Sequence, residues 1–479
     1  MPRVAAPNTS SCKRYGECTL TVNNLRDDFG DSTRALCTWV AETDASSIPD
    51  HVLSRAARVL ADDLGAIVGA RAEPEVECFH RKVIARETHR EATVFRGGRP
   101  RTERTWAAVA NAVAADWLEL DEGYRMTPCH AGLYTIPSLL AEAEATNLRF
   151  EQMLRALVLA YELVTRVARA FTPRDYTMQS HGRYSAIGAA AATALARGTD
   201  AEVLHLAVTG AATLVIASPR NHLVTGALVR NVWPAVGAWS GMLSVEWAEC
   251  GIGGVSGGLH DVYATVFGGE AHPQILTDDL GSKWAILDGY TKMFACCQHL
   301  HSAVEAALAL RPELMERGGV GAIESIEIET HPLALPLANP RPETTLGAKF
   351  SMPHAVGAAL FTGTGGAEAF MYGTLREPAI CSLRERVRVS PYAPLPTPPD
   401  DRPARVRVNL RDGSNLSAEC LSAQGGPDRP FELAMLDGKV RALTAAAYPK
   451  MASTVLALAD IHRARLAGGW ADIVEELCS

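Results

Sequence analysis

Ten residues from Lys292 to His301, K-M-F-A-C-C-Q-H-L-H, hold one Lys, two Cys and two His, and the apolar run S-A-V-E-A-A-L-A-L follows at once. Titratable groups this dense at the mouth of an apolar helix read as the wall of a polar pocket, because such groups are rarely buried without a purpose. A zinc site is the first rival. Zinc ligands come as spaced pairs such as C-x2-C or H-x3-H, whereas Cys296 and Cys297 are adjacent and neighbouring side chains diverge. The structural alternative is a pair of small buried thiols beside a helix cap. The reading carried forward is a binding or catalytic wall for an anion.

Four further segments have chemistry to offer. E-L-D-E-G-Y-R-M-T-P-C-H (119–130) gathers Glu119, Asp121, Glu122, Tyr124, Arg125 and His130. Gly123 and Pro128 break any helix there, so it reads as a structured loop, and carboxylate, His and Tyr together suit proton abstraction and donation. S-H-G-R-Y-S (180–185) places His181, Arg183 and Ser185 where a helix begins, and helix N-termini favour anions. In S-P-R-N-H-L-V-T-G-A-L-V-R-N-V-W (218–233), Arg230 within an apolar helix is unusual unless it pairs or faces a pocket. K-F-S-M-P-H (349–354) leads Lys349 and His354 into the apolar A-V-G-A-A-L. G-G-V-S-G-G (253–258) lacks the G-K-[ST] ending of a phosphate loop and follows no expected strand, so it reads as a flexible turn.

Composition narrows the partners. The 479 residues carry a formal net charge of -8, with 47% hydrophobic and 21% charged residues, an ordinary globular balance. That charge argues against a general nucleic-acid binder but allows a local basic pocket for an acidic small molecule. The 11 Cys are scattered and odd in number, which argues against a disulfide framework and fits a reducing, cytoplasmic setting. No long apolar run follows Arg3, so no signal peptide is expected, and no stretch reaches the ~20 apolar residues of a membrane span.

The positioning elements follow from periodicity. Residues 1–31 have no period and read as a flexible lead. From 32 to 272 the pattern is helical: the run after Pro49 stops at Gly69, 150–170 is a long helix with a buried face, and 186–198 is Ala-rich and ends on Gly198. From 273 to 425 an α+β domain is expected. I-E-S-I-E-I-E-T (323–330), R-V-R-V-S (386–390) and 404–420 alternate as strands, with Asp412-Gly413 as a hairpin turn and an exposed proline-rich loop over 391–403. The last stretch, 426–479, turns helical and is expected to pack back on the first domain. The fold class is therefore mainly α, with a second, smaller α+β domain.

As an ordered set, E-L-D-E…P-C-H, S-H-G-R-Y-S-A-I-G-A-A-A-A, K-M-F-A-C-C-Q-H-L-H and K-F-S-M-P-H-A-V-G-A-A-L resemble the MmgE/PrpD family, the 2-methylcitrate dehydratase and cis-aconitate decarboxylase group. The resemblance spans nearly the whole chain after residue 32. It implies a large helical domain, an α+β lid, a homodimer, and metal-independent, cofactor-free chemistry on a small di- or tricarboxylate in the interdomain cleft. Carried over by residue, the acidic-loop carboxylates fall on Glu119 and Asp121, the loop histidine on His130 and the pre-helix histidine on His181. A mid-chain cation falls on Arg230, and the lid lysine on Lys292, followed by Cys297 and His301. Two positions depart from the pattern: the family often has Asp where this chain has Glu119, and one branch has His where it has Cys297.

In chemical terms, Lys292 and Arg230, with Arg183, would meet the enolate-like dianion formed by removing a proton next to a carboxylate. A His or carboxylate takes the proton, and a second His or Tyr124 protonates the leaving hydroxyl. The expected activity is a lyase, first a 2-methylcitrate dehydratase-like hydro-lyase, with cis-aconitate decarboxylation or epimerisation of iminodisuccinate as alternatives. A non-catalytic carboxylate binder is the alternative of another class.

Overall fold

A computed structural model of the chain describes residues 13–86, 88–461 and 466–479, with side chains described from residue 24 onward. The first helix, Lys13–Glu42, already runs through most of the segment expected to be a flexible lead, whose residues 1–12 lie outside the described residues.

The helical part is built around two buried helices, Phe150–Arg169 and Ser180–Arg197. The Ser180 helix is nearly all Ala, Gly and Ser on its inner side, so neighbours approach closely. A Cβ at Gly241 of helix Trp233–Glu249 would lie 2.4 Å from Ala186 O and 2.6 Å from Ala189 Cβ, so only glycine fits that crossing. The helix starts at Ser180, six residues before the Ala-rich run. His181, Arg183 and Ser185 therefore lie inside its first turns, with Gln179 as the cap.

The α+β part carries a four-stranded sheet in the order 415–420, 404–410, 323–330, 387–391. Ile323–Thr330 runs antiparallel to Ala404–Leu410 and parallel to Val387–Pro391. The Asp412–Gly413 turn joins Ala404–Leu410 to Asn415–Cys420 in a hairpin, as the sequence indicates. Alternate residues Ile326 and Ile328, and Val406, Val408 and Leu410, are buried, Ile323 joins them across a register shift, and helix His301–Glu316 packs on this sheet. The molecule is thus mainly α with a smaller α+β part.

Helix Leu433–Thr444 returns to lie on Asp50–Gly69, and Trp470–Leu477 lies on Ala131–Thr146. Lys439 pins that return. Its Nζ donates to Asp62 Oδ1 (2.5 Å) and to Leu120 O (2.8 Å), directly behind the acidic loop. Among the described residues no helix is long and apolar enough to cross a membrane.

Candidate active site

The acidic loop joins helix Arg104–Trp117 to helix Ala131–Thr146, and a small two-stranded pairing fixes it to the second domain. Gly123 pairs with Tyr290 and Tyr124 with Gly289. A Cβ on Gly123 would lie 2.2 Å from the Tyr290 ring, so any side chain here would push that ring aside. The pairing brings Lys292, two residues past Tyr290, over Asp121. Glu119 completes the bend with a left-handed φ of 54°.

Buried charge is concentrated here. Lys292 is 1% exposed, and its Nζ donates to Asp121 Oδ1 at 3.0 Å and to Glu119 Oε2 at 3.4 Å. Stripping an ammonium of water costs several kcal/mol, which only such close partners offset. Burial alone would neutralise Lys292, but Asp121 and Glu119 hold it charged, well above its ordinary range. Arg230 bridges Asp116 and Glu119, and burial is again outweighed by those carboxylates. It lies in the 3-10 turn Leu228–Val232 rather than in a helix, which lets its side chain turn inward. Burial pushes Asp116 up to about 6, against the pull of Arg230. Burial would also raise Asp121, but Lys292 and His130 hold it well below the usual carboxylate range.

His130 is the N-cap of helix Ala131–Thr146, yet its side chain caps nothing. Its Nδ1 lies 2.7 Å from Asp121 Oδ2 and 2.9 Å from Glu122 O. A carbonyl only accepts, so Nδ1 carries the proton and Nε2 is left free on the cavity side. His181 stands edge-on behind it, with ring centroids 4.9 Å apart. His181 is completely buried, with Nδ1 2.9 Å from the Tyr134 hydroxyl and Nε2 3.3 Å from Asp116 Oδ1. Burial, then Arg230 and His130, hold it neutral.

These groups front a cavity of about 290 Å³, enough for a small organic acid. Glu119, Tyr124, His130, Arg230, Lys292 and Cys297 line it. Tyr124 has a buried hydroxyl with no hydrogen-bond partner among the described residues, and burial raises its pKa, so it stays protonated. Burial and the nearby Glu119 push the Cys297 thiol up to about 11, so it is no thiolate at neutral pH.

Four expected site residues lie off the cavity wall. Asp121 lies behind the wall, bonded to His130 and Lys292, and His181 packs edge-on behind His130. Arg183 points elsewhere: its guanidinium lies 5.6 Å over the Phe267 ring. Two positions along a helix are about 200° apart, so His181 and Arg183 cannot face the same site. His301 donates Nε2–H to Cys296 O at 3.1 Å and lies edge-on to Phe294. Burial and Lys292 pull its pKa down to about 3, so it is a neutral packing residue. Lys349 and His354 are equally structural: Lys349 Nζ holds Trp117 O at 2.7 Å, and His354 Nε2 holds Ala369 O at 3.0 Å.

Other residues enter that the sequence reading passed over. Asp116 anchors Arg230; its signal was an acid in an otherwise apolar helix. Arg220, the first residue of helix Arg220–Val224, and Arg402, from the proline-rich loop, line the cavity together with Tyr290 and His299. Nothing in local sequence pattern marks Arg402, which reaches the cavity only by the fold of the second domain.

A cavity lined by buried ionisable side chains lies between a helical part and an α+β part, and two matches give the family. The MmgE/PrpD N-terminal domain matches residues 34–271 and the MmgE/PrpD C-terminal domain residues 294–461, so the chain belongs to the MmgE/PrpD family. It is 24% identical over 458 residues to a cis-aconitate decarboxylase-like protein of Aspergillus oryzae, covering 89% of this chain and 92% of that one. A cis-aconitate decarboxylase of Aspergillus terreus is 23% identical over 418 residues, covering 80% and 84%.

Proposed function

We propose that the chain is a lyase acting on small di- or tricarboxylates by acid–base chemistry at a carbon next to a carboxylate. The observation that carries this is His130: its Nδ1–H is held by Asp121 and its Nε2 is free at a cavity walled by Lys292 and Arg230. A carboxylate behind a histidine fixes its tautomer and stabilises the imidazolium once the ring takes a proton. Lys292 and Arg230 meet the negative charge that develops on the substrate, the role a metal ion plays in other lyases, and this supports metal-independent catalysis.

The same apparatus serves two reactions. In dehydration, neutral His130 takes the carbon-bound proton, the electron pair forms the new double bond, and the imidazolium so formed returns a proton to the departing hydroxide, which leaves as water. In decarboxylation, the carbon–carbon bond breaks, carbon dioxide leaves, and protonated His130 delivers its proton to the carbon that keeps the pair. The relatives' names favour decarboxylation of an unsaturated tricarboxylate; the 2-methylcitrate dehydratase reading rests on the resemblance of the motifs.

The reading extends to a cytoplasmic homodimer. Helix Trp233–Glu249 supports the dimer by exposing Val236, Trp239 and Trp247 on one stripe. Light scattering on the purified chain checks it. The activity is tested by mixing protein with 2-methylcitrate, citrate, cis-aconitate and iminodisuccinate and following products by NMR. Conversion of at least one supports the lyase reading. Binding of all without turnover of any leaves a non-catalytic carboxylate binder.

A further inference from the structure

The cavity holds two kinds of cation. Arg230 and Lys292 are matched by Asp116, Glu119 and Asp121. Arg125, at the rim, is matched by Asp401 at 2.6 Å. Arg402 and Arg220 form no ion pair with a carboxylate among the described residues; for Arg402 burial outweighs the pull of Tyr290 and of the neighbouring Asp401. Arg402 is held by neutral groups: it donates to the Gln298 side chain and to Arg125 O at 3.4 Å, while Ser302 Oγ fixes its own carbonyl at 2.7 Å. Its Nε is buried with no hydrogen-bond partner. His299, lining the same wall, has a buried Nδ1 that is also without one. Arg220 is tied down only through its backbone, N to Thr177 O at 2.7 Å. A guanidinium keeps its charge even when buried, and leaving one without a counter-charge is costly. Such a group, preformed on a cavity wall, lacks an anion.

We propose that Arg402, with Arg220 lining the same cavity, is a second carboxylate subsite, which binds a carboxylate of the substrate that takes no part in the reaction. His299 completes it with its unpaired ring nitrogen. The subsite selects tricarboxylates over dicarboxylates: the reacting end lies against His130 and Lys292, and the far carboxylate reaches the arginines. This rests on the lyase reading for its catalytic consequences but not for binding.

The test separates the two. The binding probes are propane-1,2,3-tricarboxylate and succinate, titrated into wild type, Arg402→Gln, Arg402→Lys and Arg220→Gln by calorimetry. Arg402→Gln should weaken the tricarboxylate at least tenfold and succinate less than threefold. Arg402→Lys should fall between, because it keeps the charge and loses the fork. In turnover assays, Arg402→Gln should raise KM for a tricarboxylate at least tenfold with kcat within threefold. Equal weakening of both probes, or of neither, overturns the subsite. If Arg402→Gln does not fold, Arg220→Gln and Arg402→Lys carry the same comparison. Selective loss of tricarboxylate binding in a chain that turns nothing over would keep the subsite and reject the lyase.

Discussion

The floor of the cavity and its mouth spend charge in opposite ways. On the floor, Asp116, Glu119, Asp121, Arg230 and Lys292 are buried and answer one another. At the mouth, Arg402 and Arg220 form no ion pair with a carboxylate among the described residues. A matched set holds its geometry before substrate arrives, and that is what a reacting centre needs. An unmatched cation gains its partner only from the ligand, and that is what selection needs. Substitutions of these five buried floor charges should therefore strike kcat and stability together, and mouth substitutions should strike KM alone.

His130→Gln is the largest expected effect. It keeps the volume and removes the proton carrier, so kcat should fall on the order of 10³-fold with little change in melting temperature. Several degrees of lost stability with full kcat would make His130 structural and remove it from the acid–base chemistry. Lys292→Ala comes next. It should lower kcat/KM on the order of 10²-fold or more and also destabilise the fold by roughly 3–5 kcal/mol, because Asp121 and Glu119 are left buried without their ammonium. A folded variant with less than a threefold change would place Lys292 outside the chemistry and erase the contrast with the mouth, where a tenfold rise in KM is expected of Arg402→Gln.

A smaller effect concerns Glu122, one residue past Asp121. It is buried against Asp63, and takes Gly132 N at 2.5 Å and the Tyr161 hydroxyl at 3.0 Å. Burial pushes it up from 4.5 to about 7. Folded protein then holds a proton that the unfolded chain has released between those values. That contribution is complete below about pH 4.5 and is lost as pH rises through about 7. Melting temperature should fall over this range, and Glu122→Gln should flatten the fall by a few degrees. Identical slopes would show that Glu122 holds no such proton. The smallest expected effect is none: dialysis against a chelator should leave activity intact, and activity lost to it and restored by zinc, magnesium or iron would overturn metal-independent catalysis.

Much of this contrast was legible in the sequence, but unevenly. Helices Asp50–Gly69 and Phe150–Arg169 follow from apolar period and end signals, and the strands from alternation, because burial of one face writes itself into local spacing. Arg230 and Lys292 stood out as charges among apolar neighbours. The floor was therefore readable. Arg183 was misplaced because the segment was read as preceding a helix, whereas it lies on that helix, facing away from His181. His301 was misplaced because a 3-10 turn, Gln298–Leu300, intervenes after Cys297 and turns it toward Cys296 O. The mouth was not readable, since Arg402 lies in a proline-rich loop whose path is set by the sheet on one side and Arg125 on the other.

Proton movement at carbon tests the central claim most directly. The protein is incubated in D2O with each polycarboxylate, and substrate and product are followed by NMR for wild type and His130→Gln. The account predicts that wild type forms product and exchanges or places deuterium at a carbon next to a carboxylate, and that His130→Gln does neither above background. Turnover without deuterium at such a carbon, or deuterium placed by His130→Gln at the wild-type rate, would contradict it.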